Sequence, residues 1–336
     1  MSQQSTNTKY YQLRDCDLPK IVIDDKILLV NDRDFYTDEI LLCAKTKIAA
    51  YWMPLRMYLL VILTIIPFLL FPIDVLKKSW ITSLLGLIAC CLPSGGAPIA
   101  VGLLFMPCLQ MIGLTPKKAV AFCSATQSFG CGVFTPLNWY SKDQGIFIKS
   151  TLPLCLVSGI LGLWLALFHF PLAEHQVGIF FACFCVFLAG TVMYGIFHDL
   201  TTQNESVKFE KITTLNGFKT YAIYIIASII GGMVSGWIGI GIEKIYFLLV
   251  TSYHKAEIRR ATITAIALIG WISTISASIH FFILKDVPIA YWVCSLPGIL
   301  LGSIAGPIIN SYLGSFNIMI IFCTFLFLNV IFEITK

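Results

Sequence analysis

The chain has 336 residues, 57% hydrophobic and only 12% charged, with a formal net charge of +5 and a mean hydropathy of +0.84. A soluble domain carries about 25% charged residues, so a water-soluble globule of this size is excluded and a multi-spanning membrane protein is expected. Residues 1–50 hold seven Lys/Arg and eight Asp/Glu, while 51–336 hold sixteen and ten, most of them in short gaps between apolar runs. The excess positive charge is therefore juxtamembrane. No basic run with interleaved aromatics marks a nucleic-acid partner.

In chain order, 1–50 reads as a soluble segment whose short apolar bits within 15–39 fit a small hairpin or surface helix on the cytoplasmic side. The start lacks the basic-then-apolar pattern of a cleaved signal, so the apolar run at 57–73 is expected to drive insertion, as an extra N-terminal transmembrane helix within 51–76. Further apolar runs follow at 80–114, 119–137, 145–170, 177–197, 218–251, 261–284, 288–313 and 316–334, each judged against the ~20 residues a bilayer requires. Ten of the twelve cysteines lie inside these runs and none forms a CxxC pair, so they read as small packing residues rather than metal ligands. His169, His175, His198, His254 and His280 fall at or near segment ends. With no facing histidines in mid-helix, no phosphate loop and no buried Ser with a His base, the expectation is no cofactor, no metal and no enzyme.

Two runs are too long for one crossing and too short for two. The runs 80–114 and 218–251 have 35 and 34 residues, about 50 Å each if helical. Both are interrupted near the middle, by Leu92-Pro93-Ser94-Gly95-Gly96-Ala97-Pro98 and by Gly236-Trp237-Ile238-Gly239-Ile240-Gly241. Both are followed by paired basic residues, Lys117-Lys118 and Arg259-Arg260. Gly86 aligns with Gly232, Pro93 with Gly239, Gly95 with Gly241, Ala119 with Ala261, Lys142-Asp143 with Lys285-Asp286, and Leu152-Pro153 with Leu296-Pro297. Ser158 and Gly162 match Gly302 and Gly306, a small-xxx-small spacing suited to close helix packing. The chain thus reads as two homologous repeats, 77–198 and 218–336, joined by a loop at 199–217.

Duplicated halves, each with a broken helix in the same place, point to a secondary transporter's binding site. A break exposes unpaired N–H groups and a positive dipole end at mid-membrane depth, where an anion can be held. If the broken segments cross the membrane with the N-terminus inside, flanking Lys/Arg divide eight inside to nine outside. If both turn back, the division is eleven to six, so the positive-inside rule favours re-entrant, inverted repeats and a cytoplasmic N-terminus.

Ionisable residues in mid-segment are functional candidates, and Glu243 and Lys244 follow the second break at once. Lys244 would neutralise an anionic substrate, with Glu243 as a cap or proton acceptor. A structural ion pair or a snorkelling lysine is the other reading. The first half offers Pro93, Ser94 and the Gly95-Gly96 backbone at the matching place, as Gly239 and Gly241 do in the second. The next helix carries Ser124, Gln127, Ser128 and Cys131 on one face, with Thr126, Thr135 and Asn138 nearby. Substrate contact and helix–helix hydrogen bonding both account for that stripe.

The run Pro93-Ser94-Gly95-Gly96-Ala97-Pro98-Ile99-Ala100, with Pro107, Ala119 and Ala125-Thr126-Gln127-Ser128, resembles the first repeat of the TauE/SafE family. Ser235-Gly236-Trp237-Ile238-Gly239-Ile240-Gly241 resembles that family's second-repeat signature, and together the match spans 77–334. The resemblance implies a permease for sulfite, small sulfonates and related sulfur-containing anions, in many members an exporter. Ile242 and Glu243 stand where the family's GxGGG pattern has glycines, and Pro93-Ser94 precede the first glycine pair. Those changes keep a helix-breaking, anion-friendly site and leave the particular substrate open. The expectation is an all-α polytopic protein of the cell (cytoplasmic or inner) membrane, a secondary-type anion permease coupled to protons or another gradient. A membrane scaffold or receptor without transport is the alternative, and an intramembrane enzyme using Glu243 is a weaker one.

Overall fold

The computed structural model describes residues 47–95, 101–141, 145–201, 217–254, 256 and 258–335. Every regular element among them is helical. Helix α1 (Lys47–Leu70) ends before Pro72, which cannot donate a helical hydrogen bond. Two short helices, α2 (Ile73–Ser79) and α3 (Ile81–Ser94), then continue in line. The first long segment therefore begins at Ile73 rather than at residue 80. Lys77 and Lys78 occupy the last turn of α2, where cations suit the helix dipole and do not interrupt it. After the first break, α4 (Gly102–Met111) runs to Gly113. Thr115 opens α5 (Pro116–Phe129), its Oγ1 accepting the Lys118 N–H with Pro116 at the first helical position.

A π-helical turn at Gly130–Phe134 carries α5 into α6 (Thr135–Tyr140). Then come α7 (Leu152–Trp164, with a π turn at Leu165–His169), α8 (Glu174–Thr201), α9 (Phe218–Ile238) and α10 (Ile242–His254). The last are α11 (Ile258–Ile279, with a π turn at His280–Leu284) and α12 (Ile289–Thr335). The expected separate runs 288–313 and 316–334 are one helix of 47 residues. The link between them holds one glycine and no proline or charge, so nothing stops the backbone ladder beyond glycine's cost of about 1 kcal/mol. Among the described residues, seven helical stretches are long and apolar enough to cross a membrane. The stretch through α5 and α6 is not among them. It carries the polar stripe, and all of Ala119–Ser128 is buried at the centre.

Contacts along α5 and α6 fix the direction of everything around them. α3 runs the same way: Cys90 lies beside Gly130, Ser94 Oγ bonds Thr135 Oγ1 at 2.7 Å, and Trp139 Nε1 donates to the Ser94 carbonyl at 2.8 Å. α4 runs back, with Gly102 beside Cys123 and Gln127 and Phe105 edge-on to Phe122 at 4.9 Å. In the second half, Ile242 lies against Gly231 and Tyr224 stacks on His254 at 5.6 Å, so α10 returns along α9. α11 lies antiparallel to α5 and α6, pairing Gly270 with Gly132, Ser273 with Gln127 and Ser276 with Ser124.

These pairings divide the bundle into two ends. Asn138, Gly145–Thr151 and Arg260 share one, tied by Arg260 Nη2 to the Gly145 carbonyl (2.9 Å) and Tyr246 to Thr151 (2.6 Å). Trp52 joins them through a 2.6 Å bond to Asn138 Oδ1, which tethers the peripheral α1. Lys117, Lys118 and Asp286 lie at the other end, with Trp237 bonded to the Phe170 carbonyl (2.8 Å) and Thr82 to that of Tyr291 (2.8 Å). The hairpin of α3 and α4 opens toward the second end, that of α9 and α10 toward the first.

Small residues let each hairpin's long arm be gripped by a helix of the other half. Gly298, Gly302 and Gly306 of α12 press on the carbonyls of Ser83, Leu87 and Cys91 along α3. Gly162 of α7 presses on Ile229 of α9, and Gly232 on Gly159. Dispersion at such close approach is what holds helices together in lipid. Gly298→Ala drives a methyl into the Ser83 carbonyl and is expected to destabilise the protein by about 1–3 kcal/mol. The check is the melting temperature in detergent, with Gly190→Ala, which has nothing within 4 Å, leaving it undiminished.

Candidate functional site

The second break is built by glycine. α9 stops at Gly239, whose φ of 76° is left-handed and whose N–H closes on the Ser235 carbonyl at 2.8 Å. Gly241 then packs against Val234, leaving no room for a side chain. The first amides of α10 are partly satisfied locally. Ser235 Oγ accepts the Ile242 N–H, and Glu243 Oε2 accepts the Gly241 N–H, both at 2.9 Å. Glu243 thus caps its own helix with a carboxylate at the positive dipole end, while its Oε1 is buried without a hydrogen-bond partner.

The two breaks meet on α5. Gly102, the first residue of α4, abuts Ile240: a Cβ there would lie 2.7 Å from Ile240 Cγ2 and 3.3 Å from Gln127 Nε2. Gly239 in turn sits over Cys123 and Val120. Gln127, 1% exposed, therefore stands between the start of α4 and the second break. Its Oε1 accepts from Ser273 Oγ at 2.9 Å, and its Nε2 has no partner. An unpaired buried donor costs about 1–3 kcal/mol, a price that folding alone does not explain. Glu243 and Lys244 are 4% and 5% exposed, and both lie within electrostatic reach of Cys131, the next stripe residue on the π turn. π turns cluster at functional sites because they re-aim side chains within a helix.

The other expected residues are placed as follows. Ser124 accepts from Ser276 at 3.0 Å, and Ser128 donates back to the Ala125 carbonyl at 2.7 Å, so both hydroxyls have protein partners. Pro93, Ser94 and Gly95 end α3 beside Thr135, Trp139 and Gly306, nearer the first end of the bundle than the meeting point of the breaks. Gly96 lies outside the described residues. Gly102 and Ser276 enter the site without having stood out in the sequence, and Ser235 stood there only as the first residue of the glycine signature. Ser273 falls where the expected repeat sets the counterpart of Cys131, but only the antiparallel register of α5 and α11 makes its pairing with Gln127.

Gln127→Leu separates the two roles of the stripe. Paired with Ser273→Ala, so that no buried hydroxyl loses its acceptor, it removes an unsatisfied donor, and the melting temperature is expected to hold or rise while anion binding falls. Equal loss of both would assign Gln127 to packing alone.

Comparison with known proteins agrees with this architecture. A family model described as sulfite exporter TauE/SafE matches residues 52–332. No curated protein and no solved structure matched the chain. A match over most of the chain is decisive: the protein belongs to the TauE/SafE sulfite exporter family, a family of multi-pass membrane transporters.

Proposed function

We propose that the protein is a secondary-type permease that exports small sulfur-containing anions, sulfite or short sulfonates. One observation carries the reading: two helix breaks meet at Gly102 and Ile240, beside the partnerless Gln127 amide nitrogen and close to a buried lysine. The start of α4 supplies a positive dipole end. Gln127 Nε2 supplies a directed donor and Lys244 a full positive charge. Ser94, Gly95, Ser124 and Ser128 would shape the approach to this point rather than make the central contacts.

Charge balance suggests the coupling. An ionised Glu243 cancels Lys244 and occupies the N-terminus of α10, which disfavours a second anion there. A proton on Glu243 removes the negative charge beside Lys244 and so favours an anionic substrate there. Anion binding and protonation of Glu243 are therefore linked, and substrate moves with a proton. The carboxylate's second oxygen, buried and unbonded, is where that proton would sit.

The opposed hairpins support an inverted duplication, with 77–198 and 218–336 as its halves, and a re-entrant reading of both broken segments. Lys149, Arg259 and Arg260 belong to the end that also holds Trp52, and under the positive-inside rule that end is cytoplasmic. Reporters fused after Lys117 and after Lys142 are expected outside and inside, respectively. A cytoplasmic Lys117 would sink the re-entrant reading.

Function itself is tested with purified protein in proteoliposomes loaded with labelled sulfite or a short sulfonate. Efflux that saturates and responds to a pH gradient is expected. Lys244→Met is expected to insert normally and reduce that flux to the protein-free level. Full activity in this variant would remove Lys244 from the mechanism, and absence of flux and binding in the wild type would favour a scaffold.

A further inference from the structure

His280 lies at the far end of α11, in its terminal π turn, and is 4% exposed. Its Nδ1 is 2.8 Å from Asp286 Oδ1, and its Nε2 is buried without a partner. Whether Nδ1 donates to Asp286 or accepts from it depends on the tautomer, and the other ring nitrogen, Nε2, is buried. The Asp286 side chain is 25% exposed against 5% for His280, so the pair reaches from solvent inward.

What lies inward is polar. Ser273, Ser276 and His280 are spaced i, i+3, i+7, which puts them on one face of α11. The bonds of Ser273 to Gln127 and of Ser276 to Ser124 show that this face looks at the stripe of α5. Two cross-helix bonds, Ser276 to Ser124 and Ser273 to Gln127, thus lie between the level of the histidine and the meeting point of the breaks. Apolar Ala121, Ala125, Ala277 and Val287 pack together at the same level. The other titratable groups at this end among the described residues are Asp74, Lys77 and Lys78 of α2, Lys117 and Lys118 at the start of α5, His169, Glu174 and His175 around the link from α7 to α8, Lys285 in the same link as Asp286, and Tyr291 and Cys294 in the first turns of α12. Asp286 is the carboxylate bonded to the imidazole.

We propose that His280 and Asp286 form a proton-loading station on the outer side of the permease, exchanging protons between solvent and the polar ladder that ends at the anion site. A proton arriving from solvent is taken up by Asp286, the more exposed partner, and passes to Nδ1 across the 2.8 Å contact as Nε2 releases its own proton inward toward the serine hydroxyls; a ring flip restores the starting tautomer. No bond other than N–H and O–H changes. This rests on the permease reading and gives Glu243 the supply of protons that reading needs.

The test uses full-length protein in proteoliposomes with labelled sulfite and two assays: accumulation driven by a pH gradient, and sulfite–sulfite exchange at equal pH, which needs no net proton movement. His280→Gln and Asp286→Asn are expected to lose gradient-driven accumulation and keep exchange, retained exchange also showing that each variant is folded. Gradient-driven accumulation intact in both variants would overturn the station and leave the permease reading standing. Equal loss of exchange and accumulation in both would also overturn it, assigning the pair a structural role. Absence of all flux in the wild type would overturn the permease reading, and the station with it.

Discussion

Backbone N–H and C=O groups cannot be left bare in hydrocarbon, and this constraint organises the molecule. Two helices stop inside an otherwise apolar bundle, so each stop needs partners and each must be shielded by protein. Local groups satisfy part of the second stop: Ser235 and Glu243 take the amides of Ile242 and Gly241. Trp139 takes the last carbonyl before the first stop, and Arg259 lies over that indole at 4.6 Å. Shielding comes from α5, whose buried face runs past both breaks, and from the glycine-lined contacts that clamp the hairpins' long arms.

The same constraint explains where polar side chains are tolerated. Most hydroxyls in the bundle fold back on their own helix, as Thr126 and Ser158 do. Those of Ser124, Ser273 and Ser276 instead bond across to the facing helix. Against that background Gln127 Nε2 and Glu243 Oε1 are two of several buried polar atoms left without a partner. Both border the place where the breaks approach one another. Close packing around them, with Gly102, Gly239 and Gly241 each touching a neighbour, keeps the polar point small.

Much of this was legible in the chain. Scarcity of charge announced a membrane protein, and glycine with proline in mid-segment announced the breaks, because those residues act through the backbone of their own neighbourhood. The matching small residues of 158–162 and 302–306 fell at real close contacts for the same reason. Other features were misread. The apparent boundary at Trp80 vanished because Lys77 and Lys78 end one helical turn without ending the segment. The gap between 313 and 316 vanished because one glycine is too weak a signal to stop a long helix.

The sequence by itself determined composition, helix stops and the rarity of buried charge, all of which are local or statistical properties. Only the tertiary structure decided that Gly102, rather than Gly95, meets the second break. It alone paired Gln127 with Ser273, made Glu243 a cap for the helix it opens, and set His280 in line with the serine ladder. Each of these depends on the register of antiparallel helices far apart in the chain. Register follows from the summed packing of many apolar contacts, which no single residue encodes.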